Sequence, residues 1–228
     1  MDSNTFINLI FGTTTLFTVW FFYRASSRSL LPVLILFGWI ILQSVLAAKG
    51  FYLVTETLPP RMALVLVPAM IMILLLLITA KGKKFTAGLD IKWLTLLHVV
   101  RLPVEIGLYL LFLQKQVPEL MTFEGRNFDI LAGISAPFIW FFMFVKKVIS
   151  KKVLLTWNII CLALLMNILI NAALSIPGPL QQFGLDQPNF GILYFPVILL
   201  PALIVPLVLF SHLVCIAQLS RKDGSTAR

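Results

Sequence analysis

Seven long apolar runs, separated by short polar breaks, set the reading of this chain. They fall at about 5–23, 30–53, 62–80, 92–113, 128–147, 153–175 and 190–218. Each approaches or exceeds the ~20 residues that a helix needs to cross a hydrocarbon core of ~30 Å. Within each run the apolar residues are continuous rather than alternating, which favours helices over the strands of a transmembrane barrel. A helix also satisfies its own backbone where lipid offers no hydrogen bonds. The pattern predicts an all-α integral membrane protein, a bundle of seven transmembrane helices. Residues 1–220 read as one domain and 221–228 as a short polar tail. There is no internal repeat of the kind that marks inverted-repeat transporters.

The polar breaks orient the bundle. Thirteen of the eighteen Lys and Arg residues lie on one side, in the breaks around Arg24, Lys81, Lys146 and Arg221. Four lie on the other side: Lys49, Arg61, Lys115 and Arg126. The basic side of a multi-pass protein is cytoplasmic. The N-terminus is then expected outside and the C-terminus in the cytoplasm, with the plasma (inner) membrane as the expected site. MDSNTF carries no positive charge, and Arg24 and Arg28 follow the first apolar run, so that run reads as a retained helix and not a signal peptide.

Composition agrees. The chain is 60% hydrophobic and 12% charged, against about 45–50% and ~25% in soluble domains. Topology accounts for the net charge of +9, so no nucleic-acid partner is inferred. The basic KKVISKK break can attract anionic headgroups, but topology alone accounts for it and no specific partner is inferred. Cys161 and Cys215 lie inside apolar runs and form no metal or redox motif. No GxSxG, HExxH, Walker A or GxGxxG is present, and the last run lacks the lysine of a retinal site.

The eighteenth basic residue, Arg101, is in the fourth run. At 100° per residue, His98, Arg101 and Glu105 fall within about a 60° arc. Such charges are costly in a bilayer and face the bundle interior or water. Arg101 and Glu105 are spaced to pair as i and i+4, although Arg before Glu is the weaker order. A structural ion pair and a ligand, ion or proton site both fit. Arginine suits an anionic group, and Glu105 and the histidines suit proton transfer. His212, in the last run, is expected at a depth similar to His98, which admits a metal or axial haem pair. No metal site is assigned, and the cofactor is unknown. Gln43, Ser44, Asn158, Asn167 and Asn171 add polar groups that either bond across helices or complete a cavity with Arg101 and Glu105.

The outer loop between the fourth and fifth runs carries Glu124, Arg126, Asn127 and Asp129 among Phe123 and Phe128. This mixture suits an ordered loop over the bundle, a cap or a lid. Asn127 or Asp129 is placed to cap the fifth helix, and Gly125 to permit a tight turn. The last run holds Pro196, Pro201 and Pro206, which predict a kinked or broken helix. The fragment RLPVE resembles the proline–glutamate motif of membrane lycopene cyclases. It has one glutamate where that pattern has two, and no second copy, so no residue role is carried over.

The leading expectation is a protein that binds or transports a small anionic or amphipathic solute through His98, Arg101, Glu105 and His212. The alternatives are a membrane-embedded enzyme acting on a lipid or isoprenoid, and a non-catalytic subunit of an envelope complex. The partners expected are the bilayer, a small-molecule or lipid ligand, and a membrane-protein partner or second copy.

Overall fold

The computed structural model describes residues 3–221, and every regular element among them is helical. The α-helices are α1 Ser3–Ala25, α2 Leu30–Ala48, α3 Ala63–Ile78, α4 Ala80–Ala87, α5 Ile91–Leu97, α6 Arg101–Leu113, α7 Ile130–Trp140, α8 Lys151–Ala173 and α9 Val205–Leu219. Residues 222–228, most of the expected polar tail, lie outside the described residues.

Helices stand at all seven apolar runs, but they are not alike. Five segments are long and apolar enough to cross a membrane: Asn4–Ala25, Leu30–Ala48, Ile91–Leu113, Lys151–Ala173 and Leu200–Leu219. A sixth is reached if α3 and α4, bent by 86° where they meet, count as one span. The fifth run gives only Ile130–Val145, too short to qualify by length. These apolar helices are compatible with a multi-pass membrane protein.

The second run ends earlier than its hydropathy suggests. Gly50 adopts a left-handed conformation with φ 69°, a common stop after a helix. Tyr52 then folds back under α2, and its hydroxyl donates to Gln43. At the end of the third run, Thr79 is extended and its hydroxyl accepts from the Gly82 amide, capping α4.

Two segments form the centre. Leu200–Leu219 is the most buried of the long spans, with 72% of its apolar window inside, while α2 has 11%. The α5–α6 segment packs on α1 and α7, and α9 packs on α5 and α8. Outward faces are apolar: α2 exposes Leu31, Leu34, Ile35 and Ile41 and buries Gln43. Polar groups inside and apolar groups outside is the arrangement that lipid, not water, favours.

The prolines of the last run act as expected. Regular α-helix begins only at Val205, after a π-turn at Leu200–Ile204. Pro206 has no N–H to give the carbonyl of Ala202. The indole of Trp39 on α2 donates to that carbonyl at 2.9 Å. This side chain from a neighbouring helix satisfies the group the proline leaves free.

Candidate functional site

The fourth run tightens where its charges sit. A 3₁₀ turn at His98–Val100 joins α5 to α6, one turn before Pro103, whose ring opposes the carbonyl of Val99. His98, Arg101 and Glu105 emerge from this turn and are all buried. They face α7, α8 and α9 rather than forming a self-contained pair.

Arg101 pairs with Asp129, not Glu105. Its Nη1 is 3.1 Å from Asp129 Oδ1, with both side chains almost fully buried. The contact is ionic and poorly aligned for a hydrogen bond. Its Nη2 lies 3.0 Å from Nε2 of His212, and its Nε has no hydrogen-bond partner. Glu105 is instead held by Asn127, whose Nδ2 donates to both carboxylate oxygens at 2.7 and 2.8 Å. The same amide nitrogen donates to the carbonyl of Met121 at 3.0 Å. The expected i,i+4 pairing is thus replaced by two tertiary contacts, because residues 127 and 129 enter the bundle.

That entry explains the short fifth helix. Val117, Met121, Thr122, Asn127 and Asp129 of the loop between α6 and α7 are buried. Asp129 meets Arg101, which lies about 18 Å along the helix from Leu113 at 1.5 Å per residue. Helix α7 therefore begins inside the bundle, and the loop fills the space above it. Two glycines permit the packing. A Cβ on Gly125 would lie 2.3 Å from the Glu119 carbonyl oxygen. A Cβ on Gly133 would lie 3.0 Å from the Leu102 amide nitrogen and 3.2 Å from Cβ of Arg101.

The protonation of His212 follows from its partners. Asn158 donates Nδ2 to the Leu154 carbonyl at 2.9 Å, which leaves its Oδ1 to accept from Nδ1–H of His212 at 2.8 Å. Arginine only donates, so Nε2 of His212 is the acceptor. The ring is the neutral Nδ1–H tautomer. His98 stacks on it, with ring centroids 3.8 Å apart and planes 17° apart. Both ring nitrogens of His98 are buried without hydrogen-bond partners. Trp157 closes the histidine pair edge-on to His98 at 5.4 Å, and its indole donates to Ser135.

The stacked rings bear on the metal and haem alternatives. Axial haem ligands point nitrogens at the iron from opposite faces, whereas these rings lie face to face. Both nitrogens of His212 are already engaged. Among the described residues no group of three His, Cys, Asp or Glu side chains could hold a metal ion.

Other expected residues lie elsewhere or act differently. Gln43 bonds Tyr52 and contributes no hydrogen bond to Arg101 or Glu105. Asn167 donates to the Arg126 carbonyl at 2.8 Å, and Asn171 donates back to Asn167. Asn167 thus ties α8 to the loop between α6 and α7, and Asn171 supports it from within α8. The side chains of Glu124 and Arg126 are exposed, the latter over the ring of Phe183. Asp129 stands at the N-cap of α7 without a capping hydrogen bond, since its carboxylate faces Arg101. Asn127 makes the local turn instead, its Oδ1 accepting from the Asp129 amide. Gly133, Ser135 and Trp157 had no signal in the sequence beyond their place in apolar runs.

A family model described as a domain of unknown function, DUF8737, matches residues 59–220. The chain belongs to that family. No curated protein and no solved structure matches it. The DUF8737 segment contains the whole network of His98, Arg101, Glu105, Asn127, Asp129, Asn158 and His212. Helices α1 and α2 precede it.

Proposed function

We propose that this DUF8737 protein is a single-domain, seven-span protein of the inner membrane, with its N-terminus outside and its C-terminus cytoplasmic. It binds and moves a small amphipathic solute, and the buried network around Arg101 is the site. The observation that carries this reading is the burial of three ionisable groups, Arg101, Glu105 and Asp129, in the centre of an apolar bundle. A buried ion pair gives little net stability and is often a cost. Its retention is better explained by use than by folding.

The partners of Arg101 narrow the solute. Asp129 and His212 already engage the guanidinium, so a free anion must displace one of them. With both carboxylates ionised and His212 neutral, the cluster carries one more negative than positive charge. Such a site favours a proton or a cationic group over the anion that Arg101 alone suggests. Glu105, held by the single amide of Asn127, is the group placed to receive it.

The test is binding by the purified protein of two amphipathic probes of opposite charge, tetraphenylphosphonium and benzoate. The expected result is preference for the cation, weakened at least tenfold in Glu105→Gln. Equal binding by folded Glu105→Gln, or preference for benzoate, overturns the assignment.

A further inference from the structure

We propose a second site, distinct from the buried network: a groove that takes one acyl chain of an anionic phospholipid from the cytoplasmic leaflet, with its phosphate on the lysines of α4. The proposal rests on the membrane reading above, but not on its solute.

The groove lies between α2, α3 and the last helix and has a volume of about 520 Å³. Its lining is almost wholly apolar and includes Leu31, Trp39, Met72 and Pro206. Volumes of this order hold small ligands. Its shape follows from sequence. Gly38 has no side chain, and a Cβ built there meets nothing within 4 Å. Pro68 and Pro206, inside their helices, are both in the wall.

Length and position choose the occupant. Along α2 the groove runs from Leu31 to Leu42, about 16 Å at 1.5 Å per residue. That is about half of a ~30 Å hydrocarbon core, the depth of one leaflet. The leaflet is the basic one, because Leu31 and Leu76 lie at the ends of α2 and α3 that meet the basic breaks around Arg28 and Lys81.

The floor of the groove supplies the charge. Helix α4 leaves α3 at 86°, so it lies along the membrane plane when α3 stands upright. Phe85 of α4 lines the groove. Lys81, Lys83 and Lys84 on the same short helix are exposed, while Gly82 and Thr86 are buried. Arg28, also exposed, precedes the first lining residue of α2 by three positions. An apolar slot of one leaflet's depth, ending on four cations with no acid in α4, matches a chain bearing a phosphate at its end. A neutral lipid or a second copy of the chain would leave those cations unused.

Native mass spectrometry of the detergent-purified protein tests this, with dioleoyl phosphatidylglycerol or dioleoyl phosphatidylcholine titrated in. The expected result is one retained phosphatidylglycerol per protein, held at least tenfold more tightly than phosphatidylcholine. Lys81→Gln with Lys83→Gln and Lys84→Gln should abolish the preference, each lysine contributing about fivefold. Gly38→Trp, which fills the groove where there is open space, should lose both lipids while the protein keeps its thermal transition. Equal retention of the two lipids, unchanged retention in Gly38→Trp, or a dimer without lipid overturns the proposal. Recovery of the chain in the soluble fraction without detergent would instead overturn the membrane reading itself.

Discussion

At the scale of single residues, the network is asymmetric, and the asymmetry is measurable. Arg101 is the one cation beside two carboxylates, Asp129 at 3.1 Å and Glu105 four positions along its own helix. Arg101→Met leaves both acids buried without a counter-charge and should cost about 3–5 kcal/mol in stability. Asp129→Asn should cost less, because Glu105, four positions along the same helix, remains as a counter-charge and the site becomes neutral. Unfolding of the purified variants in detergent gives both values, and a larger loss in Asp129→Asn would contradict the charge count. Asn127→Ala removes the donor that spans both oxygens of Glu105 and should cost about 1.5–3 kcal/mol, the range for a hydrogen bond to a charged group. The sequence made Arg101 and Glu105 visible because charges in an apolar run are conspicuous. It did not reveal their partners. The i,i+4 spacing offered a local pair, but a loop that enters the bundle brings Asn127 and Asp129 closer to the charges than helical geometry brings the charges to each other. Periodicity within a run carries no information about such an entry.

At the scale of elements, apolar runs located the helices well and their ends poorly. The second helix stops at Ala48 because Gly50 turns left-handed and Tyr52 folds back onto Gln43. The fifth is short because it starts at Arg101's depth. The kinked last helix was legible from Pro196, Pro201 and Pro206, whereas the compensating donor, Trp39, sits on a helix 163 residues earlier. Removing that donor tests the compensation. Trp39→Phe keeps most of the ring's volume and strands the Ala202 carbonyl, a loss of about 1–3 kcal/mol for a buried unsatisfied group. Gly133 tests the other junction. Gly133→Val must push against the backbone of Leu102 and the stem of Arg101, which should cost about 1–3 kcal/mol as overpacking does. Because it moves α7 away from α6, it should also weaken the binding assigned to the network. A stable Gly133→Val protein that binds normally would show that α7 does not position Asp129.

At the scale of the whole molecule, the number of spans decides which surfaces face which side. Three counts are physically distinct. With five spans, α3, α4 and α7 lie off the membrane, so residues 58 and 87 share one side, and 123 and 148 share the other. With six, α3 crosses and carries α4 to the other face but α7 does not cross, so 58 and 87 separate while 123 and 148 stay together. With seven, the four positions alternate. The seven-span count is favoured by the basic residues, which fall around 81–92 and 146–152 but are sparse between 49–61 and 115–126. A short α7 does not oppose it, since the buried loop above Asp129 occupies the rest of the depth. The two native cysteines are buried, so they give little background to thiol labelling. Leu58→Cys, Ala87→Cys, Phe123→Cys and Val148→Cys each replace an exposed residue. In intact cells a membrane-impermeant maleimide should label positions 58 and 123. Positions 87 and 148 should react only after permeabilisation. Labelling of 148 alongside 123 would remove α7 from the spans, and would place the lysines at 146–152 on the outer face against the charge rule. Labelling of 87 alongside 58 would put α4 outside, and with it the phosphate-binding end of the α2–α3 groove.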